Sequence, residues 1–229
     1  TTTAPIKVLD AKKVILTLAD NTTNTITDSS RLSTEEDYSA AIYSKEDLII
    51  NGNGTLNVNA GYRNGIKSTD DCIIVSGTLN ITSTEDGIIG KDLCGIVAGD
   101  ININAGSDGI KSTYDTDTTK GNVIIEGGNI TIKASNDGIQ AENILVINDG
   151  TINIKTNNGA ADTTQTHTDN MYMGRGGFGF NNNKTTTTTD DTSESRKGIK
   201  AGNMLIINDG DITIDSDDDS VHCNSVIYI

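Results

Sequence analysis

Hydrophobic and polar positions alternate over short stretches again and again: TLNV at 55–58, TLNI at 78–81, INI at 101–103, ITI at 130–132, INI at 152–154 and ITI at 212–214. A period of two carried by β-branched residues predicts strands with aliphatics on one face and Asn or Thr on the other. A glycine turn precedes each stretch (NGNG, SG, AGD, EGG, NDG, NDG), and another apolar run precedes each turn, as in CIIV, NVIIE, ILVIN and MLIIN. No stretch shows helical periodicity.

A second marker sets the repeat length. Ile42, Ile66, Ile88, Ile110, Ile139, Ile199 and Val221 mark successive DGI-like units, at spacings of 24, 22, 22, 29, 60 and 22 residues. The base period is about 22, with one short insertion around TYDTDTTK and one long, low-complexity insertion over 156–196. Two or three strands per period, joined by short turns, predict an all-β parallel β-helix whose coils stack and whose inward aliphatics form ladders. The marker Ile is then a core position, and the Gly before it a turn that avoids a Cβ clash. Ser44, Ser68, Gly90, Ser112, Ala141, Ala201 and Cys223, two places after each marker, form a second inward column. Cys72 and Cys94 stack one coil apart, about 4.8 Å by strand spacing, which suits buried thiols and leaves a disulfide open. The whole chain, 1–229, reads as one domain. Residues 1–38 are expected to supply a cap and an irregular first coil. The chain is expected to be a mature or trimmed form, and its apolar end SVIYI to be followed by further coils or covered by another chain.

Composition narrows the function. A hydrophobic share of 34% argues against a thick core, and 3% aromatic residues leave no obvious stacking platform for crystalline polysaccharide. Seventeen basic against thirty-two acidic side chains, a net charge of −15, oppose nucleic acid and anionic membrane surfaces and suit divalent cations. No apolar run approaches a membrane span, and the N-terminus lacks signal-peptide regions. Nothing in the pattern specifies an oligomeric state.

The repeat stacks Asn64, Asp86, Asp108, Asp137, Lys197 and Asp219 along one edge, with Glu85, Asp115, Asp117, Asp215, Asp217 and Asp218 close by. An Asp before Gly caps a turn through its side-chain oxygen. A row of carboxylates also offers the hard oxygens that Ca²⁺ takes, so Asp86, Asp108, Asp137, Asp219, Asp218 and Glu85 are candidate calcium ligands. An EF-hand-like start at Asp115 and Asp117, with Glu126 at the twelfth place, fails because Lys120 stands where that loop needs glycine. Lys67, Lys111 and Lys200, with His222 in the last coil, point outward beside the acids. They are candidate contacts for an anionic sugar, whose carboxylate bridges to the metal while an ammonium neutralises it.

DGIKS, DGIQAENILVINDGTINI, KGIKAGNMLIINDGDITI and DSVHCN resemble a family of secreted bacterial carbohydrate-binding domains with a pectate-lyase-like, right-handed parallel β-helix, from about Ser39 onward. The resemblance implies calcium sites, with ligands among Asp86, Asp108, Asp137 and Asp219, and departs from the family's pattern at Lys197. It implies binding to acidic plant polysaccharide such as polygalacturonate, weaker binding to cellulose, no established catalysis, and a place outside the cell, free or attached to its surface. The glycine-rich insertion agrees with that family; its cluster of Tyr172, Phe178, Phe180 and Arg175 either packs on the wall or contacts sugar. A calcium-dependent lyase is the alternative, since uronate β-elimination needs a metal and a poorly protonated Lys or Arg. The columns are repetitive, without one unusual coil, which favours binding over catalysis. A third reading makes the outward Asn57, Asn80, Asn102, Thr131, Asn153 and Thr213 the polar face of a structural or adhesive solenoid.

Overall fold

The computed structural model describes residues 4–29, 39–159 and 195–229. Among them are 23 strands and no helix, arranged as three parallel sheets that wind around one core. Sheet A stacks β1 (Ile6–Val8), β4 (Ala40–Ser44), β7 (Asn64–Ser68), β10 (Ile88–Gly90), β13 (Ile110–Lys111), β16 (Ile139–Ala141), β19 (Ile199–Ala201) and β22 (Val221–Cys223). Sheet B stacks β2 (Val14–Leu18), β5 (Leu48–Gly52), β8 (Cys72–Ile74), β11 (Leu93–Ile96), β14 (Asn122–Ile125), β17 (Ile144–Ile147), β20 (Met204–Ile207) and β23 (Val226–Tyr228). Sheet C stacks β3 (Thr23–Asp28), β6 (Thr55–Ala60), β9 (Thr78–Ser83), β12 (Asp100–Ala105), β15 (Asn129–Ala134), β18 (Thr151–Thr156) and β21 (Asp211–Asp215). The parallel β-helix expected from the repeat is therefore the fold.

The marker residues pair one to the next, Ile42 with Ile66, Ile88, Ile110, Ile139, Ile199 and Val221, and the six isoleucines are buried. The ladder reaches back to Ile6, and β1, β2 and β3 pair in register with β4, β5 and β6. The first coil is thus regular where irregularity was expected, because Val14, Leu16 and Ile26 continue the inward columns. Each buried Ile contributes roughly 1.5–3 kcal/mol by leaving water, so the ladders are the main stabilising term. Cys72 and Cys94 pair across adjacent strands, both fully buried and both free thiols. Burial raises both, Cys94 to about 12.

Two kinds of glycine serve the coil. Gly150, in the turn before sheet C, has φ +124°, a conformation other residues rarely adopt. The glycine of the DGI unit is different from what the sequence suggested: a Cβ on Gly138 would lie 2.6 Å from the Gly198 carbonyl oxygen and 2.4 Å from Ile154 Cγ2. It is there because two coils and a core isoleucine converge, not because the chain turns.

The outer faces differ. Sheet C presents Asn and Thr, with Asn80 Nδ2 donating to Asn57 Oδ1 (2.9 Å) and Asn102 Nδ2 to Asn80 Oδ1 (3.1 Å), so the polar array bonds along the sheet. Sheet B presents an apolar column through the middle of its strands: Ile15, Ile49, Ile73, Gly95, Ile124, Val146, Ile206 and Tyr228, paired in register.

Candidate functional site

The expected acid ladder exists, and its oxygens are already engaged. Asn64 Oδ1 accepts the Asp86 N–H (3.0 Å), Asp86 Oδ1 the Asp108 N–H (3.0 Å), Asp108 Oδ1 the Asp137 N–H (2.9 Å) and Asp137 Oδ1 the Lys197 N–H (2.7 Å). Each side chain thereby fastens its coil to the next, and Asp86, Asp108 and Asp137 do so just ahead of their strands in sheet A. The lysine column turns to the same carboxylates: Lys111 Nζ lies 2.6 Å from Asp108 Oδ2 and Lys200 Nζ 3.2 Å from Asp137 Oδ2. Lys67 instead donates to Ser39 Oγ (3.2 Å). Lys197 reaches Asp218, with Asp219 at 3.9 Å; His222 Nδ1 is 3.1 Å from Asp219 Oδ2; Glu85 is 3.8 Å from Arg63.

Burial shifts these groups. It raises the Asp108 carboxyl, against the pull of Lys111. Burial also opposes the Lys111 ammonium, but Asp108 and Asp86 raise its pKa overall. Lys67 is lowered, by burial first and by Arg63 and Lys91, against Asp86 and Glu85. The two predicted columns neutralise one another and form a spine along the helix.

A different group of acids gathers at the corner between sheets A and B. Inward Ser44 and Ser68 both donate to the Glu46 carbonyl (2.7 and 2.9 Å) and accept the N–H of Glu46 and Asp70 (both 3.1 Å), folding the chain sharply before β5 and β8. Because Leu48 pairs with Cys72 and Cys72 with Cys94, Asp47 stands over Asp71, and Asp70 over Asp92. Carboxylate oxygens of Asp47, Asp70 and Asp71 all lie within 4.8 Å of one another. Among the described residues, this trio draws on none of the expected ligands Asp86, Asp108, Asp137, Asp219, Asp218 and Glu85. Burial raises Asp71, helped by the charges of Asp47, Asp70 and Asp92; burial and a carboxyl–carboxyl hydrogen bond to Asp92 raise Asp70. Lys13 sits 3.9 Å from Asp47, and Lys120 pairs with Asp92.

The short insertion builds the other wall of this corner. Thr113 and Tyr114 donate their N–H groups to the Lys91 carbonyl (3.2 and 3.0 Å), and Gly121 and Asn122 donate theirs to the Asp92 carbonyl (2.7 and 3.1 Å). The loop is thus pinned at both ends to the preceding coil. Its Tyr114 ring has Lys91 Nζ at 4.8 Å and Lys120 Nζ at 5.0 Å from its centroid, two cation–π contacts. Asp117 turns back onto Thr119 (2.9 Å to N, 2.7 Å to Oγ1) and Glu126 accepts from Asn148 (2.8 Å), so the two ends of the EF-hand-like stretch face different neighbours. Between loop and corner lies a cleft of about 400 Å³, lined by Asp70, Asp71, Asp92, Lys120 and Asn122 with Leu93, Thr119 and Ile124.

Three close carboxylates, with Lys13 near Asp47 and Lys120 paired to the adjoining Asp92, are a donor set that fits a hard divalent ion such as Ca²⁺. The sequence reading missed Asp47, Asp70, Asp71, Asp92, Lys91, Lys120 and Tyr114. It took the columns as uniformly repetitive, whereas the coil carrying the insertion breaks the pattern. The signal was present: aligning on Leu48, Cys72 and Cys94 superimposes these acids. The aromatic cluster of Tyr172, Phe178, Phe180 and Arg175 lies outside the described residues.

Known proteins share the fold and the family of this chain. The structure of a polysaccharide lyase-like protein from C. thermocellum, a gadolinium derivative, superimposes with a TM-score of 0.65 at 25% identity, covering 100% of this chain and 73% of that one. A carbohydrate-binding domain-containing protein of Acetivibrio thermocellus is 39% identical over 85 residues, which span 35% of this chain and 30% of the relative's length. The profile of the carbohydrate-binding domain-containing proteins matches residues 1–229, and the chain belongs to that family.

Proposed function

We propose that this carbohydrate-binding chain takes an acidic polysaccharide of the polygalacturonate type at the corner between sheets A and B, with calcium held by Asp47, Asp70 and Asp71 and without catalysis. The observation that carries this reading is the carboxylate trio opening onto the cleft that the insertion walls off. When bound, calcium supplies a doubly charged hard centre that neutralises the acids and offers places for a uronate carboxylate. Lys91, held against the Tyr114 ring, is placed to pair with a neighbouring uronate, while Lys120 would have to exchange its Asp92 partner to do so, and the ring limits where both swing. The polysaccharide lyase-like neighbour supports the polysaccharide part of the reading through its shared fold. Cellulose has no carboxylate to place, so it binds more weakly. Such ligands lie outside the cell, and this reading puts the protein there.

Lys67, depressed by burial near Asp86 and Arg63, keeps a lyase as the second reading, because a poorly protonated lysine is what proton removal beside a uronate requires. One experiment separates them: calorimetry with polygalacturonate, in calcium and then in chelator, with absorbance following unsaturated product. Calcium-dependent heat with flat absorbance, lost in Asp70→Asn/Asp71→Asn, supports binding at the corner. Rising absorbance that Lys67→Ala abolishes would make the protein a lyase, and heat unchanged by chelator would remove calcium from the proposal.

A further inference from the structure

An Asn or Asp followed by Gly is the context in which the side-chain carbonyl carbon is least shielded from the next backbone nitrogen, because glycine brings no Cβ. The chain has nine such links, and the fold divides them into two kinds. In seven, the glycine N–H is donated to another residue, to Ser76 Oγ for Gly52 and to a backbone carbonyl for the rest. The three aspartates of the ladder are further removed from reaction. Asp86, Asp108 and Asp137 turn Oδ1 away from their own glycine to accept the N–H of the next coil, while Gly87, Gly109 and Gly138 donate to that coil's carbonyls.

The other two links are Asp149–Gly150 and Asp209–Gly210, stacked one coil apart in the turns that lead from sheet B into sheet C. Among the described residues, each of these glycines donates its N–H to the side chain just before it, Gly150 to Asp149 Oδ1 at 2.7 Å and Gly210 to Asp209 Oδ1 at 2.8 Å. Adding a C–O bond of about 1.2 Å bounds the Cγ-to-nitrogen distance at about 4 Å. The carboxyl carbon is thus held close to the roughly 3–3.5 Å of a near-attack arrangement. Both aspartates are exposed, and their turns line an open groove of about 340 Å³, so water reaches them.

We propose that Asp149 and Asp209 are sites at which the chain modifies itself, each carboxyl closing on the following glycine nitrogen to a succinimide that opens to isoaspartate. In the first step the nitrogen of Gly150 or Gly210 bonds to Cγ of the protonated carboxyl. The Cγ–OH bond breaks, and the hydroxyl leaves as water with the proton of the amide. In the second step a water molecule adds to one of the two ring carbonyls. Cleavage of the nitrogen–Cγ bond restores aspartate. Cleavage at the main-chain carbonyl instead sends the chain through Cβ and Cγ and frees that carbonyl as a carboxylate. Composition, mass and charge end unchanged, and no oxidant or cofactor is consumed. The backbone gains one atom immediately before the Thr151 N–H that bonds the Gly128 carbonyl at 2.9 Å, or the Asp211 N–H that bonds the Gly150 carbonyl at 2.8 Å. The modification therefore shifts the start of a sheet C strand against its neighbour.

The test ages the full chain in warm, mildly acidic buffer without calcium, once native and once unfolded in guanidinium chloride. Isoaspartate is located by methyltransferase labelling and by electron-transfer fragmentation of the peptides. The expected result is isoaspartate at Asp149 and Asp209 of the native chain at rates within about threefold of the unfolded chain, because an exposed turn opens at almost no cost. Asp86, Asp108 and Asp137 should react at least about tenfold more slowly native than unfolded, since each must first detach from the next coil. Asp149→Glu with Asp209→Glu, which would need a larger ring, should remove the native label. Three results overturn the proposal: native protection of Asp149 and Asp209 as strong as that of the ladder, equal native rates at all five links, or undiminished native label in the double variant.

Discussion

Replacing Asp137 tests whether the acid ladder is a structural spine. Its side chain is 1% exposed, Oδ1 accepts the Lys197 N–H at 2.7 Å, and Oδ2 faces Lys200 Nζ at 3.2 Å. Asp137→Ala leaves that N–H without its charged acceptor, which costs about 1.5–3 kcal/mol. Losing the Lys200 pair adds less than about 1 kcal/mol, because the lysine is partly exposed and solvent screens it. The total is about 2–4 kcal/mol. Asp137→Asn keeps an acceptor oxygen but sets an amide against an ammonium, so about 1–2 kcal/mol is expected. For a chain of this size each kcal/mol moves the melting temperature by about 2–4 °C, so Asp137→Ala melts roughly 5–15 °C lower. Urea unfolding followed by circular dichroism, in calcium and in chelator, is the assay. The spine predicts the order wild type, Asn, Ala and the same deficits in both buffers. An alanine variant within about 0.5 kcal/mol of wild type, or a deficit present only with calcium, would refute the reasoning and return the ladder to metal binding.

Three further outcomes are expected. Calcium titration should show Asp71→Asn weakening affinity at least about tenfold, while Asp86→Asn, a ladder residue, leaves it unchanged. Asp70, Asp71 and Asp108 hold their protons above the usual 3.8, so the native state binds more protons than the unfolded chain in the window just above that value. The metal-free protein should therefore gain stability as pH falls from neutral into that window and lose it as pH rises back, and a urea midpoint independent of pH there would contradict the assignment. Gly138→Ala should lose about 3 kcal/mol or fail to accumulate, because its Cβ meets a carbonyl oxygen at 2.6 Å, whereas Gly95→Ala stays within about 0.5 kcal/mol of wild type in urea unfolding.

Much of the fold was legible in the chain because a solenoid is local. Each coil contacts the coils next to it, so a 22-residue period carries the pairing register directly, and Ile42, Ile66, Ile88 and Ile110 stack as their spacing requires. Alternation at period two likewise determined which residues face inward. Identity of face, however, does not say what a side chain touches. The acids of the ladder were placed correctly in their row, but whether Asp108 holds a metal or a neighbour depends on where the next coil's N–H and Lys111 Nζ fall, and those are tertiary distances.

The corner between sheets A and B shows the same limit. Asp47, Asp70 and Asp71 are unremarked acids in sequence, separated by as many as 24 residues, and only the superposition of Leu48 on Cys72 brings their oxygens within 4.8 Å. The insertion carrying Tyr114 and Lys120 was recognisable as a break in period, but its direction was set by four backbone hydrogen bonds to Lys91 and Asp92. Periodicity, which is a property of the chain, thus determined architecture and core. Convergence of charge, which depends on distances between coils and the low dielectric around them, was decided by the folded structure alone.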